Sequence, residues 1–272
     1  MLLNETVQSP DVLPAMSANQ LDRLMPRRIP PRISGSRPSA TRAEAIGNAV
    51  LRDIPGVDLS RWLCRLQRTE LRRGQVLYGT GSDRLYAYFP TTAVVSLSCV
   101  LQEGESPEFA AIGNEGVIGS SLFMAGASTV SRAEVQHTGH ALRVSVSMIE
   151  EEFARSPQIR HVILRFTQSL MNQVAQIAVC NRRHSLEQQL CRYMLLSIDR
   201  QRGSQVERTQ ESLARSLGVR REGVTTAALR LQRAGAIRYA RGRIEILQRA
   251  ALEARSCECY SAIRSELTTL AA

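Results

Sequence analysis

The sequence predicts an α+β chain: a small antiparallel β-roll, then one long helix, then a compact helix-turn-helix closed by a β-hairpin. Three observations predict it. Short β-branched runs separated by glycines fill residues 69–146. A glycine-free stretch from Met148 to about Asn181 repeats apolar residues at helical spacing. From Thr209 onward, a cap, small and leucine positions, a glycine turn and a basic hairpin follow one another at fixed offsets.

Residues 1–45 read as a tail. Pro26, Pro30, Pro31 and Pro38 interrupt a Ser- and Arg-rich stretch that lacks a sustained period and cannot bury enough apolar surface to fold alone. A short helix from about Ala43 to Leu51 opens the first domain, residues 46–150. Its strands are Val76–Tyr78, Leu85–Phe89, Ala93–Val100, Glu108–Ile112 and Ala141–Val146, spaced for a sandwich or barrel. Glu150-Glu151-Glu152 reads as a solvated helix start at the positive end of the helix dipole.

Residues 151–184 form the long helix and a hinge. After Pro157, Ile159, Ile163, Phe166, Leu170, Val174 and Ile177 recur at spacings of 4, 3, 4, 4 and 3. That is a helix of about 24 residues with a narrow stripe. The stripe can be a core face lying on the β domain or the seam of a parallel homodimer. Its narrowness and the helix length favour the dimer seam. Ser185-Leu186-Glu187-Gln188 is a capping box that ends this helix after His184 and starts another, about Leu186 to Arg200.

Residues 185–272 hold the strongest motif. Thr209 caps a helix, Leu213 and Leu217 face inward, Ala214 is small where a second helix crosses, and Gly218 supplies a positive φ. Val219, Val224, Ala227 and Leu231 bury the second helix. Its outer face presents Arg220, Arg221, Glu222, Thr225, Thr226 and Arg230. These match major-groove chemistry: arginine forks onto guanine, Glu accepts from cytosine, and Thr offers a hydroxyl or a methyl. Two alternating strands around Arg241-Gly242-Arg243 then make a wing with a basic tip suited to phosphate.

Charge points the same way. The chain of 272 residues has 35 arginines, no lysine and 25 acids, net +10. Residues 1–45 contribute +2, residues 46–180 nothing and residues 181–272 +8. A basic module beside a neutral one predicts a polyanion partner, here double-stranded DNA. No apolar run reaches the roughly 18 residues of a membrane span. Met1-Leu2-Leu3-Asn4-Glu5 lacks the basic start and apolar core of a signal peptide, so a cytoplasmic protein with reduced thiols is expected. Cys257-x-Cys259 has no second ligand pair in sequence, so no metal is expected. No catalytic constellation stands out, so no enzyme is expected.

The order of parts, with Leu71-Arg72-Arg73-Gly74-Gln75-Val76-Leu77-Tyr78, Gly116-Val117-Ile118-Gly119 and Gly218-Val219-Arg220-Arg221-Glu222-Gly223-Val224, resembles the Crp/Fnr superfamily of transcription regulators. The resemblance spans about residues 46–265. It implies a cyclic-nucleotide-binding-like sensor roll, a dimerisation helix and a winged helix-turn-helix on a palindromic operator. It implies Arg221 and Glu222 as base readers and RNA polymerase as a further partner. It places an effector pocket at Gly119, Ser120, Ser131 and Arg132. Here Ser120 stands where cyclic-nucleotide binders place a ribose-binding Glu, and Arg132 is displaced from the phosphate-clamp position. Those departures argue against a cyclic nucleotide. Residues 1–60 contain no cysteine, which argues against the family's N-terminal iron–sulfur cluster. The competing function is a ligand-binding signalling module with weak or lost DNA binding.

Overall fold

The computed structural model describes residues 39–79, 86–99, 101, 107–120, 131–201 and 203–271. Three one- or two-turn helices come first: α1 (Arg42–Ala45), α2 (Ala49–Arg52) and α3 (Gly56–Leu63). The roll follows as β1 (Gln67–Leu71), β2 (Val76–Tyr78), β3 (Tyr86–Pro90), β4 (Val94–Cys99), β5 (Glu108–Ile112), β6 (Ser131–His137) and β7 (Gly139–Ser145). Next come α4 (Val146–Arg155), α5 (Pro157–Arg183) and α6 (Leu186–Gln201). The last part is β8 (Gln205–Glu207), α7 (Gln210–Leu217), α8 (Arg221–Arg233), β9 (Ile237–Ala240), β10 (Arg243–Ile246), α9 (Arg249–Arg255) and α10 (Glu258–Ala271).

The roll is two antiparallel sheets, ordered β1-β7-β3 and β2-β6-β4-β5. Their inner faces close on Leu71, Phe89, Val95, Ile112, Val135 and Leu142, with Trp62 of α3 set edge-on against Phe89 at 5.9 Å. Strand β6 pairs with both β2 and β4. It carries little sequence signal because its inward residues, Ser131, Ala133 and Val135, are small and its outward ones polar. A second core, from Leu190 to Ile263, belongs to α6–α10 and the sheet β8-β10-β9.

Four expectations are corrected. The tail does not extend to residue 45. Ser39 bridges to Gln67, Ala40 and Ala45 are buried, and Thr41 caps α1 through a capping box with Glu44. Residues 1–38 of that expectation lie outside the described residues. The single helix over 43–51 is two helices. Asn48 breaks it because its side chain caps α2 and donates to the carbonyls of Pro90 and Gly116, each at 2.8 Å. Glu152 is no solvated residue: it is buried midway along α4 and paired with Arg155 and, at 3.4 Å, with Arg61.

The fourth correction concerns the long helix. Helix α5 runs 27 residues, about 40 Å at the α-helical rise. The proposed seam faces the chain's own roll. Ile159, Ile163 and Phe166 are buried in the roll core, Leu170 and Val174 pack on it, and Ile177 packs on the second core. Gly116 is required beneath Phe166, since a Cβ there would overlap the ring. The opposite face of α5 stays open, with Leu164, Met171 and Val179 exposed. Among the described residues no helix is long and apolar enough to cross a membrane.

Candidate nucleic-acid interface

Helix α7 starts where Thr209 Oγ1 accepts from Ser212 N at 3.1 Å and stops at Gly218, whose φ of 66° no β-carbon-bearing residue adopts cheaply. Leu213, Ala214 and Leu217 are buried against Val224, Ala227, Ala228 and Leu231 of α8. Thr225 Oγ1 ties the two helices by donating to Gln210 Oε1 at 2.8 Å. Gln210 was not singled out by motif reading, because a cap-adjacent glutamine has no distinctive spacing.

Arg220, Arg221, Glu222, Thr226 and Arg230 lie exposed on the outer face of α8, with Thr225 half-buried. Thr226 Oγ1 donates back to Glu222 O at 2.9 Å. Arg220 is the N-cap and forms no side-chain cap bond, so no side chain caps the first turn of α8. Arg230 approaches Glu187 of α6 at 3.9 Å.

The wing is a two-residue hairpin. Ala240 pairs with Arg243, and the loop residues Arg241 and Gly242 have φ of 50° and 75°. Both positive values define a type I′ turn, whose twist suits the flanking strands. Gly242 sits over Thr209, to whose Cγ2 a Cβ would approach at 3.2 Å, so the wing tip abuts the start of α7. Arg243 and Arg73 of the roll share Glu207, at 3.6 and 3.0 Å. Among the described residues no carboxylate lies within ion-pair distance of Arg220, Arg221 or Arg241. Tyr239 binds Arg208 O at 2.7 Å, and burial raises its phenol to about 12 against the opposing charge of nearby Arg221. Arg221 therefore stands at the junction of α8 and the wing.

The roll positions are placed differently. Gly119 has φ 99°, and Ser120 and Ser131 are buried. Arg132 lies opposite Ser98 in β4, and its guanidinium pairs with Glu134 of the same strand at 2.8 Å. Residues 121–130, between Ser120 and Ser131, lie outside the described residues. A small cleft lies between the roll and helices α5–α7, where Glu108, Gln173, Tyr193, Arg200 and Ser216 line it beside Ala111, Ile177, Leu196 and Leu217. There Arg200 Nε donates to Glu115 Oε1 at 2.7 Å, with both side chains buried. Burial raises the Glu108 carboxyl despite Arg208 at 3.8 Å.

The fold brings a second pair of metal-ligating residue types, absent from the local sequence, against Cys257-x-Cys259. Cys180 and His184 at the end of α5 meet it, and the four side-chain Sγ and imidazole N atoms lie within 4.8 Å of one another. The pair is separated from Cys257 by more than seventy residues of sequence. The readable signal was the four-residue spacing of Cys180, in the last turn of α5, and its C-cap His184.

Residues 188–255 match the family described as the Crp-like helix-turn-helix domain. No curated protein matches the chain in sequence. Three solved structures share its fold. A Crp/Fnr-family regulator from Eubacterium rectale superposes with TM-score 0.63 at 15% identity, covering 76% of this chain and 96% of that one. FixK2 from Bradyrhizobium japonicum gives TM-score 0.59 at 19% identity, covering 71% and 98%. A CRP-family regulator from Thermus thermophilus gives 0.59 at 21%, covering 69% and 96%. The chain therefore has a Crp-like helix-turn-helix domain on the fold of the Crp/Fnr regulators.

Proposed function

We propose that this chain, a Crp/Fnr-type transcription regulator by fold and domain, binds a palindromic operator as a homodimer. The observation that supports DNA reading is the exposed, unneutralised Arg220-Arg221 pair at the N-terminal end of α8, beside the basic wing tip. That end enters the major groove deepest in this motif. Arg221 and Glu222 read base edges, while Arg220 and Arg241 hold phosphate.

The dimer forms through the open face of α5. Leu164, Met171 and Ala178 are spaced by seven residues, with Gln168 and Ala175 between them, all outside the roll core. Leu164 and Met171 are 42% and 61% exposed, an apolar stripe that a second copy would cover. Two-fold symmetry then puts half-sites about one helical turn apart.

The roll modulates this helix rather than holding a cyclic nucleotide. Ser120 offers no carboxylate for a ribose, and Glu134 already neutralises Arg132. RNA polymerase is a proposed further partner, and the cytoplasm the proposed location.

Selection of bound duplexes from a random pool tests the reading. The expected product is an inverted repeat. Arg221→Ala is expected to weaken that duplex by about 1–3 kcal/mol and to relax one base position. Failure to enrich any motif, or full retention of specificity by Arg221→Ala, would sink the assignment.

A further inference from the structure

Three buried cysteines, Cys180, Cys257 and Cys259, form a group of their own that belongs to neither hydrophobic core. Cys180 Sγ lies 3.5 Å from Cys257 Sγ, and Cys259 Sγ lies 3.4 Å from His184 Nδ1. With zinc–sulfur bonds near 2.3 Å and zinc–nitrogen bonds near 2.0–2.1 Å, the edges of a tetrahedral site measure roughly 3.5–3.8 Å. The two contacts fall about 0.1–0.3 Å inside the corresponding edges. The widest separation in the group, at most 4.8 Å, closes with small side-chain movements.

The surroundings are those of a ligand site. His184 Nε2 lies 3.2 Å from Glu258 Oε1, an arrangement that fixes the ring with Nδ1 turned to the thiols. Gln176 Nε2 donates to Cys259 Sγ at 3.0 Å. Arg192 is buried beside the group, and its Nε has no hydrogen-bond partner among the described residues. A divalent cation with three thiolates and a neutral imidazole carries a net charge of −1, which a buried guanidinium balances.

We propose that Cys180, His184, Cys257 and Cys259 form a closed, tetrahedral zinc site that clamps the C-terminal helix α10 to the hinge end of α5. Four protein ligands leave no open position, so the site is structural rather than catalytic. An iron–sulfur cluster fits worse, because its thiolates bind different irons and stand farther apart than these. All four ligands lie outside residues 188–255, which match the Crp-like domain, two before it and two after it, so the clamp is an addition to that module. Helix α10 also reaches the roll, where Leu270 is buried in its core and its carbonyl accepts from Arg52 at 3.4 Å. The metal thus holds the helix break at His184 between the two halves of the chain.

The full chain, purified without chelators, is expected to retain about one zinc per chain by elemental mass spectrometry. Replacing it with Co2+ is expected to give the ligand-field bands of a tetrahedral site and thiolate-to-cobalt charge transfer. The double variant Cys257→Ser/Cys259→Ser is expected to lose both, while Cys64→Ser, at an exposed thiol, keeps them. Should the double variant fail to fold, Glu258→Ala leaves every ligand in place. It is expected to weaken zinc about 10-fold or more in competition with a chromophoric chelator. An octahedral cobalt spectrum, iron with acid-labile sulfide, or a Cys180–Cys257 disulfide in the reduced, metal-supplemented protein would each overturn the proposal. So would unchanged affinity in Glu258→Ala.

Discussion

The Arg200–Glu115 pair joins the two halves of the chain, and its removal has a calculable cost. Arg200 lies on α6 and Glu115 in the turn after β5, with side chains 4% and 8% exposed. Glu115→Gln keeps the shape and an acceptor but leaves the guanidinium buried without its counter-charge. At an effective dielectric of about 20, unit charges about 4 Å apart interact by about 4 kcal/mol. Removing one partner of a buried pair costs about 3–5 kcal/mol. Arg200 also reaches the Leu196 carbonyl at 3.4 Å and the Gln173 amide, which offset part of the loss. The expected cost is therefore near the lower end, about 3 kcal/mol. Arg200→Met strands the carboxylate instead and is expected to cost as much. Arg200→Met/Glu115→Leu removes both charges and is expected to lie within about 1 kcal/mol of the parent.

The assay is urea unfolding followed by two probes. Trp62, the sole tryptophan, is buried in the roll core and reports that half by fluorescence, while far-ultraviolet dichroism reports helices in both halves. In the parent the transitions should coincide. In either single variant the roll and the DNA-binding half should part, giving separated midpoints. Additive costs within about 0.5 kcal/mol around the cycle would refute the reasoning, because independent sites add and a coupled pair does not.

Other outcomes follow from the same structure. Arg241→Ala should flatten the dependence of DNA affinity on salt by about one phosphate contact, and Arg243→Ala, whose charge Glu207 shares, by less; an unchanged slope for Arg241→Ala counts against the wing as a phosphate contact. Met171→Glu should convert the proposed dimer to a monomer in light scattering, lowering the unfolding temperature only by the dimer's concentration-dependent share, whereas Phe166→Ala should lower stability by about 3–5 kcal/mol because it faces the roll. A dimer that survives Met171→Glu would move the seam elsewhere. Glu108 has a folded-state value raised above the ordinary 4.5, so the folded state holds that proton more tightly than the unfolded chain. Its contribution is present below 4.5 and is lost as pH rises through the folded value. Glu108→Gln should therefore flatten the decline of unfolding temperature with pH, and an identical profile would show that burial does not shift this carboxyl.

The DNA-reading part was legible in the sequence by itself. Thr209, Gly218, the Leu213-Ala214-Leu217 triplet, the Ser185–Gln188 box and the Arg241-Gly242 turn act over four residues or fewer. Caps, turns and helix faces at that range depend on local backbone geometry, which residue type controls directly. The roll was legible as short strands, except β1, whose Gln-Arg-Thr-Glu-Leu run is mostly polar, and β6, whose small inward residues give a weak alternation. Only the tertiary structure decided which face of α5 is spent on the core. Ile159, Ile163 and Phe166 have the same spacing whether they meet a roll or a second helix, and Gly116 beneath Phe166 settles the choice. It also decided the partners of charges and thiols. Glu115 meets Arg200 across 85 residues and Cys180 meets Cys257 across 77. Such contacts leave no local period, because the chain between them is free to take any length that closes the loop.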